Sequence, residues 1–141
     1  MALQADQRDY KNAFKKHRHA YINWQAAGSD FSKRLILTYC VECGLKYEIM
    51  KQENLFQTAD AQDPIKSELR SHDLRKLLKR LNKAGMYAFP PIKTNRDETV
   101  SPETYHQLCR YCIRPGDNYI TAIKQFDSTL ENIVKWIEER I

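Results

Sequence analysis

The stretch that decides the fold is residues 34–47, "RLILTYCVECGLKY". Two readings compete for it. "LILTYCV" is apolar enough for a buried strand, and Cys40 and Cys43 have the spacing of half a zinc or redox site. No turn chemistry bounds the run, however, and helix formers follow it. As a helix over about residues 31–53, it places Leu35, Ile36, Leu37, Tyr39, Cys40, Val41, Cys43, Leu45, Tyr47, Ile49 and Met50 around most of its circumference. A helix that is apolar on nearly all sides sits at the centre of a bundle. The expected fold class is therefore all-α, a four-to-five-helix up-and-down bundle.

The flanks extend this pattern. Tyr10, Phe14, His17, Tyr21 and Trp24 recur at alternating spacings of four and three, one stripe of a helix over about residues 6–27. Ala13, Ala20 and Ala27 beside it allow a close neighbour. Gly28 ends that helix, and Ser29 or Asp30 caps the next. Residues 54–67 read as a loop. A third helix starts near Ser71-His72-Asp73, with Leu74, Leu77, Leu78 and Leu81 inside, and Gly85 closes it. "MYAFPPIKTNRDETV" reads as a loop. Ser101-Pro102-Glu103-Thr104 opens a short helix, with serine as the cap and proline in the first turn. The last helix begins at Asp117 and buries Tyr119, Ile123, Phe126, Leu130, Ile133 and Ile137.

With 141 residues, the chain fits a single domain over 1–141. It can bury a core without disulfide or metal staples. No apolar run is long enough for a membrane span, and "MALQADQRDY" lacks the apolar core of a signal peptide. A cytoplasmic protein with reduced thiols and no membrane partner is the expectation. The net charge is +5, and residues 66–83 alone hold seven Lys/Arg against two acids. Residues 8–19 are basic, and residues 117–141 are acidic. Such a concentrated basic face implies a polyanion or an acidic partner. Arg75, Lys76, Lys79, Arg80 and Lys83 fall on the outer face of the third helix, where phosphate contacts need such charge, and Arg110 and Arg114 join Arg75, Lys76, Lys79 and Arg80 as candidates for binding nucleic acid. Tyr87, Phe89 and Tyr111 are candidates for stacking on single-stranded bases.

Two Cys-x-x-Cys pairs, Cys40/Cys43 and Cys109/Cys112, could supply four thiolates to zinc. Both lie in helical pattern rather than in knuckle turns, so core packing is the preferred reading, with metal the lesser alternative. No cofactor is expected. Glu42 and Lys46, four apart, can pair on one helix face as an internal contact or as a polar groove. His72 begins the third helix. His106 and Arg110 are four apart and could act together on a phosphate.

The residues "SDFSKRLILTYCVECGLKYEIM" followed by "SHDLRKLLKRL" resemble a HEPN domain. The points of likeness are Glu42, two residues, Leu45-Lys46, and then His72-Asp73-Leu74 opening the third helix. The match covers helices two and three. The resemblance implies a helical bundle of prokaryotic defence or toxin–antitoxin systems that binds RNA or a nucleotide. Partners of the family include a nucleotidyltransferase or a larger defence effector, and homodimers are common. Many HEPN proteins are metal-independent ribonucleases whose motif is arginine, four to six residues, then histidine. None of His17, His19, His72 or His106 has an arginine at that distance upstream. Binding without cleavage is therefore the expectation. Any cleavage would be metal-independent and would fall to His72, His106, Arg110 or Arg114. The alternative function is a non-catalytic docking or dimerisation module of a larger complex.

Overall fold

The computed structural model describes residues 3–25 and 30–141. Among these residues, six α-helices occur in the order α1 (Gln7–Ile22), α2 (Asp30–Gln52), α3 (Ile65–Leu69), α4 (Leu74–Arg80), α5 (Tyr105–Arg110) and α6 (Ile120–Glu138). The architecture is an all-α bundle. Among the described residues, no helix is long and apolar enough to cross a membrane.

α2 is the central helix that its composition demands. Leu37, Cys40, Val41, Leu45, Ile49 and Met50 are all buried, and α1, α4, α5 and α6 pack around it. Gly44 sets how close two of them come. A Cβ at this position would lie 2.6 Å from Ile137 Cδ1 and 2.7 Å from Phe14 Cδ1. α1 and α6 therefore press directly on the α2 backbone. On α6, Ile123, Phe126, Leu130, Ile133 and Ile137 are buried, and Tyr119 is half-buried just before its start. The α6 C-terminus is fixed by charge. Glu48, only 1% exposed, receives Arg140 Nε at 3.1 Å and Lys51 Nζ at 3.1 Å.

Several boundaries depart from the sequence reading, each for a local reason. α1 stops at Ile22 rather than near residue 27. Asn23 donates from its backbone N–H at 3.1 Å and its side-chain amide at 2.9 Å to the His19 carbonyl. Trp24 thus leaves the helical stripe. Ala27, Gly28 and Ser29 lie outside the described residues. Within residues 54–67, the expected loop gives way to the start of α3. Asp63 holds this short helix, accepting from the Ser67 N–H at 3.1 Å and the Ser67 hydroxyl at 2.7 Å.

α4 ends at Arg80, before Gly85. Asn82 takes the left-handed conformation (φ 62°). Its N–H donates to the Lys79 carbonyl, and the Lys83 N–H donates to that of Leu78. This is the Schellman pattern with asparagine in the usual glycine place. Asn54 after α2 and Cys112 after α5 repeat it, with φ of 55° and 51°. The start of α5 also differs. Ser101 does not cap with its hydroxyl; its N–H donates to Thr104 Oγ1 at 2.9 Å, and regular helix begins at Tyr105.

The proline-containing stretch is not wholly irregular. Strands β1 (Ile92–Lys93) and β2 (Thr99–Val100) pair antiparallel. Asp97, with φ 65°, supplies the left-handed residue that a three-residue hairpin loop requires. Alternation over two residues is too short to register as a strand. Pro115 bridges to Thr94 and ties this ribbon to the approach to α6.

Gly44→Ala tests the close approach at the centre of the bundle. A methyl there must displace a buried aromatic ring and a buried isoleucine. The expected loss is about 1–3 kcal/mol, read from the urea midpoint with an unchanged denaturant slope.

Candidate functional site

Three elements converge at one corner. Tyr39, Glu42 and Lys46 recur on α2 at spacings of three and four and so share a face. Glu42 is 9% exposed and Lys46 is 5%. The carboxylate is shared, with Oε2 3.2 Å from Lys46 Nζ and Oε1 2.8 Å from His72 Nδ1. The next residue, Asp73, caps α4 by accepting from the Arg75 N–H at 3.1 Å and from the Lys76 N–H. The cap fixes where His72 leaves the chain, and Glu42 fixes its ring.

A carboxylate only accepts, so the His72 proton sits on Nδ1. In the neutral ring Nε2 is then the bare nitrogen. His106, from α5, places its ring 4.8 Å from that of His72. One turn further along α5, Arg110 donates from Nη2 to the Tyr39 hydroxyl at 2.5 Å.

Burial pulls the His106 imidazole below its usual 6.5, and the neighbouring His72 and Arg110 add to that. Burial likewise lowers His17, whose ring lies 6.4 Å from Tyr39. Tyr10, beside Lys46, is pushed up to about 12, first by burial and then by Cys43 and Glu42. The corner therefore combines a neutral buried imidazole, a solvent-facing imidazole with an oriented basic nitrogen, and a guanidinium at its edge. It can accept a hydrogen bond from a hydroxyl at His72 and meet an anion at Arg110.

Of the residues singled out in the sequence, Glu42, Lys46, His72, His106 and Arg110 come together here. Arg75, Lys76 and Lys79 lie on the exposed face of α4 and make no ion pair among the described residues. Arg80 does not belong with them. It forks onto Glu68 through Nε–Oε2 at 2.6 Å and Nη2–Oε1 at 2.8 Å, which spends its donors on joining α3 to α4. Arg114 is exposed beside the hairpin, where its carbonyl accepts from the Asn95 N–H.

Two of the three stacking candidates are committed to the core. Tyr87 lies against Trp136, and Phe89 lies 4.6 Å from Phe126. Tyr111 is 65% exposed.

The cysteine pairs have separate surroundings. Cys40 Sγ faces the Phe14 carbonyl at 3.5 Å, while Cys109 lies near Asp127 and Arg34. Burial raises Cys40 to about 12, Cys43 to about 11 and Cys109 to about 12. These three are protonated thiols acting as small apolar side chains. Among the described residues, no group of three or more His, Cys, Asp or Glu is placed to hold a metal ion.

Tyr39 was legible only as part of an apolar run. Its role as partner to Arg110 depends on a contact 71 residues away in sequence, which no local pattern carries.

Two measurements probe this corner. Glu42→Gln leaves the Lys46 ammonium buried without its counter-charge, and should cost about 3 kcal/mol. The double variant Glu42→Gln/Lys46→Met should recover most of that. The second concerns pH. His106 is harder to protonate folded than unfolded, so the unfolded chain takes up protons first as pH drops below 6.5. Stability is full above that value and declines below it, and His17 acts with the same sign. The urea midpoint should be lower at about pH 5.5 than at about pH 7.5, and His106→Gln should narrow the difference.

Compared with known proteins, the chain matches no protein-family model, no curated protein and no solved structure.

Proposed function

We propose that this protein is a HEPN-like module that binds RNA, with a setting in bacterial defence or a toxin–antitoxin system. The observation that carries this reading is the exposed face of α4. Arg75, Lys76 and Lys79 stand there without ion pairs among the described residues. Other cations of the fold are engaged in joining elements, among them Arg34 with Asp127, Arg80 with Glu68 and Arg140 with Glu48. Free cations on a short helix are what phosphate contacts use. Arg110 and the exposed Tyr111 at the end of α5 extend the surface, a guanidinium beside a ring on which a base can stack.

The resemblance also gains a physical support. Its two short motifs touch, since Glu42 of the first meets His72 of the second at 2.8 Å.

The reading is binding rather than cleavage. His106 is 6% exposed, and Arg110 is already engaged by Tyr39. A partner nucleotidyltransferase or effector belongs to the same proposal. It would dock away from α4.

Single-stranded RNA binding followed by fluorescence anisotropy across a salt series tests this. Affinity should fall steeply with salt. Reversing Arg75, Lys76 and Lys79 to Glu should reduce the log–log slope by roughly 2, about 0.7 per lost contact. Labelled RNA should stay intact in EDTA at high protein concentration. Salt-insensitive self-association with no RNA shift would favour the docking-module alternative.

A further inference from the structure

A recess distinct from the outer face of α4 opens beside His72. Leu3, Ala5 and Tyr10 of the N-terminal segment form one side, and Leu69, Arg70 and His72 of the α3–α4 turn form the other. It encloses about 540 Å³, within the range of roughly 300–1,000 Å³ typical of small-molecule sites.

Its N-terminal wall is tied down. The Thr58 N–H donates to the Asp6 carboxylate at 2.8 Å, and the Thr58 hydroxyl donates to the Ala5 carbonyl. The Gln7 N–H donates to the Phe56 carbonyl at 3.1 Å.

Three polar side chains line the recess with capacity to spare. Arg70 is exposed and makes no ion pair among the described residues. The Tyr10 hydroxyl has no hydrogen-bond partner among them. His72 has Nδ1 on Glu42, so Nε2 remains. Three of the nearby carboxylates have partners within the fold. Glu42 is held by Lys46 and His72, Glu68 by Arg80, and Asp73 by the α4 N-terminus. Asp6 and Asp9 lie near Tyr10 and Asp63 lies near Arg70, so the positive charge offered to the recess is that of Arg70 itself.

Two guanidinium N–H groups and one phenol O–H make three donors, which match the three terminal oxygens of a phosphate monoester. A carboxylate offers two. His72 Nε2 adds an acceptor for a hydroxyl.

We propose that this recess binds a phosphate monoester carrying a neighbouring hydroxyl, with Arg70 and Tyr10 on the phosphate and His72 on the hydroxyl. The source is either a free small phosphomonoester or the phosphorylated end of an RNA strand. The site shares His72 and Tyr10 with the corner described above and uses none of the α4 cations, so it goes beyond the RNA-binding reading.

Calorimetric titration of the whole protein with adenosine 5′-monophosphate and with adenosine tests the proposal. The monophosphate should bind and adenosine should not. Arg70→Ala and Tyr10→Phe should each weaken binding at least tenfold while leaving the melting curve in place, and the α4 triple reversal should leave it unchanged. RNA with a 5′-phosphate and with a 5′-hydroxyl separates the two sources. An Arg70-dependent gain from the phosphate assigns the strand end, and no gain alongside monophosphate binding assigns the free compound. Two results overturn the proposal. One is that neither the monophosphate nor an RNA 5′-phosphate is recognised. The other is that recognition is indifferent to Arg70 and Tyr10. In either case salt-sensitive RNA binding through α4 would stand untouched. Loss of that RNA binding, with Arg70-dependent monophosphate binding kept, would overturn the RNA reading alone.

Discussion

Phe14 and Ile137 stand where a side chain at position 44 would be. This constraint organises the bundle. One missing methyl lets a helix from each end of the chain rest on the backbone of α2, and both are then committed to one face of it. Residues two apart lie about 200° apart around a helix. The face bearing Glu42 consequently turns away from the Phe14–Ile137 contact and toward α4 and α5, with Tyr10 and His17 of α1 along its edge. That side carries Tyr39, Glu42 and Lys46, and the corner is assembled there.

Placing a carboxylate against a core has a cost that local geometry must offset. Glu42 has two oxygens, and each finds a cation or a donor. Neither partner is incidental. Lys46 is set one turn along by the helix itself. His72 is set by the Asp73 cap, whose own carboxylate is occupied by the first N–H groups of α4. The start of α4 is thereby pinned to α2 through a polar contact, while Leu74, Leu77 and Leu78 supply the apolar part of the same junction. A buried pair of this kind adds little net stability over an apolar substitute, but breaking half of it is severe. Its effect is to fix one orientation of His72, and through it the tilted ring contact with His106.

Much of this was legible in the sequence. The all-round apolarity of α2, the leucine stripe of α4 and the period of α6 are signals that grow with every turn. What escaped was short or distant. α3 has five residues and each strand two, so no period accumulates. Glycine marks a helix end at Gly85, yet α4 is closed by Asn82, and α2 and α5 are followed by Asn54 and Cys112, all in left-handed geometry. Asparagine is a known substitute for glycine there, whereas cysteine carries no such signal. At the corner, Glu42, His72, His106 and Arg110 could each be singled out by type and spacing. Their meeting, and the withdrawal of Arg80 into a pair with Glu68, depend on packing between elements far apart in sequence.

That withdrawal shows how the chain divides its charge. Arg18 with Glu138, Arg34 with Asp127, Arg80 with Glu68 and Arg140 with Glu48 each join different elements of the fold. These pairs engage Asp127 and Glu138 of α6, Glu48 of α2 and Glu68 of α3. Several of the cations outside these pairs bear on the candidate surfaces. Arg70 faces the recess, Arg75, Lys76 and Lys79 face solvent from α4, and Arg110 stands at the edge of the histidine pair. A net charge of +5 would mean little if spread evenly. Here folding uses some basic residues to join elements and leaves Arg70, Arg75, Lys76 and Lys79 on and beside α4 without ion pairs among the described residues, as it also leaves Lys15 and Lys16 on α1 and Lys124 and Lys135 on α6. The positive surface follows from which acids the fold uses internally, and composition alone gives only its size.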